Sequence, residues 1–497
     1  LRANDYPLQR SDRRAIAHAV RERLKSQGIN AWGDAWMGVT TNLERGSVRA
    51  RLASLLGAAL LVMLPAEAAL AVRQSVSFAV ETHTLENGLR LVLRPDTKAP
   101  LVSFQVWYGV GSRDEQFGMT GVSHFLEHLM FQGAARHGIG EFDRRLVKVG
   151  ARNNAFTTKD GTVYYEVLPR AQLELAFDLE SDRMTGAAIP PEKFDSEKQV
   201  VREELRWRSE NNPVGACWEL LTGMTYLAHP YHWPVGGYPQ DLAAITRDEV
   251  VAYYKRHYQP GNATVVITGD FEPDHALRLA RQYFGAIQGI PVSGRVARRV
   301  AEARGERRGQ MYRPVTHPAV LFGYRLPGSG HPDLIALELL QLILAEGESS
   351  RFYRALVREQ RLARTVEMGL DEGLDGSVLY LYAQPMPGVS LEKLERAIDA
   401  AIQRAKQQLA SPTELKKAVN MARARFIKMQ ESAEGMANLL GQAIHTGGLD
   451  SLDAYLPRLA ALAPTDPPRI ATRYLTPDNR TVVQLLPESS VRPTEKR

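Results

Sequence analysis

Gly121-Val-Ser-His-Phe-Leu-Glu-His-Leu-Met-Phe-Gln-Gly133 is the stretch on which the reading of the chain turns. Phe125, Leu126, Leu129, Met130 and Phe131 are apolar, no proline intervenes, and Gly133 stands where a helix would stop, so the spacing predicts one helix. Residues four apart on a helix share a face, which aims His124 and His128 at one spot with Glu127 beside them. That is the geometry of two metal ligands with an acid or base next to the ion. Two histidines at this spacing can also be core residues paired with carboxylates. Burying two imidazoles and a carboxylate in so apolar a helix nevertheless costs about 2 kcal/mol or more per unsatisfied group, and something must offset that cost.

With 497 residues the chain is too long for a single core, and with 44% hydrophobic and 24% charged residues its composition is that of a globular protein. Cys217 is the one cysteine, which excludes an internal disulfide and any cysteine-based zinc site, and it reads as a small core residue. A metal here would be held by nitrogen and oxygen. Of the net charge of +6, residues 1–71 contribute +4, from ten Lys/Arg against six Asp/Glu, so the remainder is nearly balanced. No basic and aromatic stripe accompanies it, which argues against nucleic acid as a partner.

Residues 1–36 are polar and begin with Leu1, which leads us to expect a start assigned upstream of the true one. From Met37 the chain reads as an export signal: Arg45, Arg49 and Arg51 precede the apolar run Leu52–Leu64, and Ala66-Glu-Ala68 or Ala69-Leu-Ala71 suits a signal peptidase. The run is shorter than the roughly 20 residues of a membrane-spanning helix. A periplasmic address is expected, with an uncleaved inner-membrane anchor as the alternative.

Beyond the signal, Glu81–Leu93 alternates around an Asn87-Gly88 turn as a hairpin does, and Val102–Tyr108 reads as a strand. A helix is expected around Ile139 to Val149, paired strands at 151–157 and 162–168, and a long helix from about Ala171 to Arg183. Pro190 and Pro191 then open a helix on which Glu197 and Glu204, seven apart, share a face. Two carboxylates so placed are ordinarily a solvated surface.

Taken together, His124-Phe-Leu-Glu127-His128 and the Glu197-to-Glu204 helix resemble the pitrilysin/insulinase family of zinc peptidases, which includes the mitochondrial processing peptidases. Asn154-Ala-Phe-Thr157, Thr162-Val-Tyr164, Pro234–Gly237 and Tyr258-Gln-Pro-Gly-Asn262 extend the resemblance to roughly residues 80–490. It implies an α+β fold of two homologous units, each an antiparallel-rich mixed sheet packed with helices. It further implies one Zn2+ per chain on His124, His128 and Glu204, with Glu127 as the base and Glu197 as a carboxylate orienting a ligand. Glu203 would face elsewhere. Asn154, Ala155 and Phe156 would present a sheet edge to a peptide substrate, although ordinary edge-strand packing is the other reading of Asn154 and Phe156.

Residues 76–290 are therefore expected to form the zinc-bearing domain, 291–309 an arginine- and glycine-rich linker, and 310–490 a zinc-free repeat. Arg256-His-Tyr-Gln-Pro-Gly-Asn-Ala-Thr-Val-Val266 is echoed by Arg473-Tyr-Leu-Thr-Pro-Asp-Asn-Arg-Thr-Val-Val483, and the Pro191 helix by one opening at Pro412. The counterpart of the histidine helix, Leu334–Leu344, reads as a buried packing helix. Active relatives also place an arginine and a tyrosine, seven apart, in a later half; here Val357 and Arg364 stand at those positions, and neither Arg358 nor the Arg351/Tyr353 pair restores the pattern. The resemblance therefore implies a catalytic subunit whose homologous zinc-free partner supplies those groups, a homodimer being the alternative. A non-catalytic scaffold is the competing reading, and the intact set of four site residues speaks against it.

Overall fold

The computed structural model describes residues 78–289, 298–302 and 304–490. The upstream segment and export signal expected within 1–71 lie outside the described residues, as does part of the linker expected at 291–309. Among the described residues no helix is long and apolar enough to cross a membrane.

The chain builds two mixed sheets. The first comprises β1 (Glu81–Thr84), β2 (Arg90–Pro95), β3 (Leu101–Tyr108), β4 (Arg152–Thr157), β5 (Thr162–Pro169) and β6 (Ala263–Gly269), in the order β1-β2-β6-β3-β5-β4. Only β2 and β6 run parallel; every other pair is antiparallel. The second comprises β7 (Arg307–Arg313), β8 (Ala319–Leu326), β9 (Ala363–Asp371), β10 (Ser377–Pro385) and β11 (Arg480–Pro487), in the order β7-β11-β8-β10-β9, again with one parallel pair, β7 and β11. The two orders superimpose strand for strand once β1 is set aside. That is the α+β repeat expected from the paired sequence echoes.

The helices that build the site and cover the sheets are α1 (Val122–Leu129), α2 (Glu141–Lys148), α3 (Leu173–Gly186), α4 (Pro191–Leu205), α5 (Pro213–Thr225), α6 (Asp333–Ala345), α7 (Leu391–Gln407), α8 (Pro412–Lys428) and α9 (Ala433–Thr446). In the first half, Phe104, Val106 and Tyr108 of β3 pack with Phe125, Leu126 and Leu129 of α1 and with Phe177 of α3. In the second half, Phe322 and Tyr324 of β8 pack with Leu337 and Leu340 of α6 and with Leu394 and Ile398 of α7, so Leu334–Leu344 is the packing helix its sequence predicts.

The other face of each sheet is covered by the opposite half. Met436, Ala437 and Leu440 of α9 lie on Trp107, Val163 and Val266 of the first sheet. Cys217 and Leu221 of α5 lie on Ala319, Leu321 and Val483 of the second. Glycines permit the close approach: a Cβ on Gly441 of α9 would stand 2.1 Å from Trp107 Cε2, and one on Gly323 of β8 would stand 2.9 Å from Leu221 Cδ2. Coverage on both faces explains why β6 and all of β3 beyond Leu101 are buried, the polar Ser103, Gln105, Thr264 and Thr268 included.

Candidate metal centre

The helix carrying the histidines is held at its N-terminus by a distant carboxylate. Glu115 accepts hydrogen bonds from the backbone N–H of Gly121 at 2.7 Å and of Ser123 at 2.8 Å, satisfying donors that a helix start leaves open. Gly121 has φ +86°, and a Cβ there would stand 2.3 Å from the Gly236 carbonyl oxygen, so glycine is required. α1 ends at Leu129, a turn before Gly133, whose φ of +95° belongs to the loop beyond it. The helix buries Phe125, Leu126 and Leu129, which leaves His124, Glu127 and His128 along its flank towards α4 and β4.

α4 begins at Pro191 and turns Phe194, Val201 and Leu205 to the core. That rotation brings Glu197 and Glu204 to α1. His128 Nε2 lies 3.2 Å and His124 Nε2 3.7 Å from Glu204 Oε2, and one ligand atom from each residue falls within 4.8 Å of the others. Among the described residues this is the one group of three His, Cys, Asp or Glu side chains so disposed. The two rings meet nearly edge to face, 4.9 Å apart at 79°. Burial, reinforced by the charge of His128, holds the His124 imidazole down at a pKa of about 3, so it is neutral at ordinary pH as a metal ligand must be. Two imidazole nitrogens and one carboxylate oxygen converging on one point suit a zinc ion with one position open.

Glu197 reaches the far side of the same ring, its Oε2 3.7 Å from His128 Nδ1, and Gln132 Nε2 donates to its Oε1 at 3.0 Å. Glu203 instead faces solvent and pairs with Arg206 at 2.7 Å. Arg208, from the π-wound turn Arg206–Glu210 at the end of α4, pairs with Glu204 Oε1, the oxygen turned away from the histidines. Glu127 is 8% exposed, and its Oε2 accepts from the Thr157 hydroxyl at 2.5 Å. Burial pushes its carboxyl pKa up, and the bond from Thr157 opposes the rise.

β4 is an edge strand, and among the described residues no strand pairs with its outer side. Strand alternation divides the three residues expected to meet substrate. Ala155 packs on the α1 side of the sheet, as Thr157 does through Glu127. Phe156 packs on the opposite face, edge to face with Trp107 at 5.9 Å, and Asn154 is exposed. Sequence reading missed Thr157, Gln132, Arg208 and Glu115 as members of the site.

The repeat carries a counterpart without a metal site. At the offset from Pro412 that Glu204 has from Pro191 stands Arg425, whose guanidinium pairs with Glu346 at 2.8 Å. Arg351 and Arg358 are likewise in ion pairs, with Glu414 at 2.9 Å and Glu348 at 3.0 Å.

Comparison with known proteins places these observations in a family context. The family profile described as "Insulinase (Peptidase family M16)" matches residues 90–233, and that described as "Peptidase M16 inactive domain" matches residues 244–422. The zinc protease PqqE of Helicobacter pylori is 31% identical over 411 residues, 82% of this chain and 93% of that protein. A crystal structure of a protease from Helicobacter pylori, 30% identical, superimposes with a TM-score of 0.79 over 82% of this chain and 99% of its own. The peptidase M16 inactive domain from Pseudomonas fluorescens, 18% identical, shares the fold with a TM-score of 0.75 over 84% of this chain and 100% of its own.

Proposed function

The chain belongs to peptidase family M16, the insulinase family, and from that premise we propose that it is a zinc-dependent endopeptidase for short or unfolded peptides, the catalytic subunit of a pair. The observation that carries the reading is the convergence of His124, His128 and Glu204 beside the buried carboxylate of Glu127. Relatives of the same family are named zinc proteases.

In this reading His124, His128 and Glu204 hold one Zn2+, and Glu197 steadies His128 from behind. Zinc in such a site polarises a peptide carbonyl and lowers the pKa of water towards neutrality. Glu127 accepts the proton of the attacking water and passes it to the leaving amine, which matches its place beside both histidines. Its burial keeps the carboxyl pKa raised, closer to the working pH of a base that must also act as an acid. The free edge of β4 aligns an extended peptide through backbone hydrogen bonds, and Asn154, Ala155 and Phe156 contribute to that edge whatever the peptide sequence.

The absence of an arginine and tyrosine at Val357 and Arg364 supports a homologous zinc-free partner that supplies them; a second copy of this chain is the alternative outcome of the same test. An oxyanion donor is worth about a hundredfold in rate, so the isolated subunit is expected to be slow. The Arg-flanked apolar run ending at Leu64 supports export to the periplasm. The test is peptide hydrolysis by the purified chain, with and without the subunit that co-purifies with it, alongside Glu127→Gln. Hydrolysis that needs zinc and vanishes in Glu127→Gln is expected; undiminished hydrolysis by that variant rejects the assignment, and full activity from the chain alone rejects the partner.

A further inference from the structure

Glu204 has two carboxylate oxygens, and the histidines meet one of them. Oε2 lies 3.2 Å from His128 Nε2 and 3.7 Å from His124 Nε2, whereas Oε1 is paired with Nη2 of Arg208, four residues further along the chain. Among the described residues Arg208 is the one lysine or arginine in an ion pair with a carboxylate of the site, be it Glu127, Glu197 or Glu204. The side chains of the pair are 57% and 29% exposed, and an ion pair so open to solvent contributes little to stability. Its consequence lies in what it denies to Oε1.

The backbone places Arg208 there. α4 gives way to the π-wound turn at Arg206, where the Asn211 N–H donates to the Arg206 carbonyl, five residues back, at 2.8 Å. Such turns are rare and gather at functional sites. The start of α5 closes on this one: a Cβ on Gly215 would stand 2.2 Å from the Arg208 carbonyl oxygen, so glycine lets α5 press on the turn and hold it. Arg206, in the same turn and 49% exposed, reaches away from the site to Glu203 and Glu210. The repeat supplies an internal control. At the offsets of Glu204 and Arg208 from Pro191, counted from Pro412, stand Arg425 and Met429, and α8 closes at Lys428 with no π-wound turn after it. Carboxylate, guanidinium and widened turn thus occur together in the copy with the metal centre and are missing together from the other.

We propose that Arg208 is a positioning residue that occupies Oε1 of Glu204, confines this ligand to a single oxygen, and so keeps the remaining coordination position of the metal for water. The proposal rests on the zinc-site reading and adds to it the group that sets how Glu204 binds. A carboxylate holds a cation through one oxygen or through both. With Oε1 released, Glu204 turns its second oxygen towards the ion and competes for the position that two imidazoles and one oxygen leave open. The planar fork of a guanidinium fixes the orientation of a carboxylate, whereas a lysine ammonium holds it only as a point charge.

The test loads the protein, in the form in which it co-purifies from its native cells, with Co2+, whose visible absorption weakens as a fifth donor atom joins a four-coordinate site. Wild type, Arg208→Gln, Arg208→Lys and Arg206→Gln are compared, and zinc-loaded samples of each are assayed on a quenched fluorescent peptide. Strong four-coordinate absorption is expected in the wild type and Arg206→Gln, a clearly weakened band in Arg208→Gln, and an intermediate one in Arg208→Lys. With zinc, kcat of Arg208→Gln should fall about ten- to a hundredfold, the usual cost of losing an outer partner of a metal ligand, with KM little changed. A wild-type spectrum in Arg208→Gln overturns the proposal, because Oε1 then stays off the metal without its partner. Equal weakening in Arg206→Gln overturns it too, since any lost positive charge would then suffice, as does five-coordinate absorption already in the wild type. Failure of the wild type to take up Co2+ or Zn2+ at all removes the zinc-site reading itself.

Discussion

The hydroxyl of Thr157, the last residue of the β4 edge strand, donates to Glu127 Oε2 at 2.5 Å. The strand expected to align a peptide and the carboxylate expected to act on it are thus joined by one hydrogen bond. Because burial raises the Glu127 pKa and this bond opposes it, Thr157→Val should raise it further. A base is needed in its ionised form, so the acid limb of the kcat/KM profile should move to higher pH. A shift of one unit lowers the rate below that limb about tenfold. Thr157→Ser should restore the profile, and zinc content should be the same in all three proteins.

Arg113 and Asp375 form a buried bridge between the halves. Arg113 Nη2 lies 3.1 Å from Asp375 Oδ2, with side chains 2% and 0% exposed, and His229 Nε2 meets the same oxygen at 3.1 Å. Nearby, Tyr231 donates to Asp160 at 2.6 Å, and the Leu374 N–H donates to the other oxygen of Asp160 at 3.0 Å. Removing one partner of a buried pair leaves a charge without compensation, at about 3–5 kcal/mol. Asp375 keeps His229 and the Arg298 N–H after Arg113→Met, so the unfolding free energy in a denaturant titration should fall by less than that full amount, and Arg113→Met with Asp375→Leu should recover part of the loss.

Gly441 faces the ring of Trp107, where a Cβ would overlap it. Gly441→Ala must push α9 off the first sheet or tilt the indole, an overpacking cost of about 1–3 kcal/mol. Because α9 comes from the second half and covers the first, the loss should appear as one lowered unfolding transition, read by calorimetry. A separate early transition for either half would contradict the reciprocal arrangement of α5 and α9.

Glu414 caps the start of α8 with Ser411 and is bonded by Arg351, and the Arg351 contact, aided by the Ser411 bonds and outweighing the opposite effect of burial, holds its pKa down at about 2. A depressed acid stabilises the fold above the ordinary carboxylate pKa and loses that contribution as pH falls towards the folded value. Acidification from about pH 4.5 to about pH 2 should therefore destabilise the wild type more than Glu414→Gln. The two side chains are 14% and 26% exposed, so solvent screens the pair in part and the difference should be on the order of 1 kcal/mol. Urea titrations at several pH values measure it.

Much of this architecture is written locally. The Asn87-Gly88 turn, the proline opening α4 and the helical spacing of His124, Glu127 and His128 each act within a few residues, and the hairpin and helices stand where those signals put them. The split of Asn154 and Phe156 from Ala155 arises from the two-residue period of a strand and was there to be read. The exchange of α5 and α9 was not. Apolar residues at Cys217, Leu221, Met436 and Leu440 say that a face is buried and nothing about which sheet buries it. Glu115 likewise caps α1 from six residues before Gly121, outside the ordinary capping position, and the bond from Thr157 to Glu127 spans thirty residues of chain.

The central claim is that two imidazoles from α1 and one carboxylate from α4 hold a single zinc ion. Zinc stoichiometry by elemental analysis after dialysis tests it most directly, on the wild type, Glu127→Gln, His124→Ala, His128→Ala and Glu204→Ala. One zinc per chain in the first two and a large loss in each of the last three is the predicted result. Full retention of zinc in Glu204→Ala or in either histidine variant would contradict it.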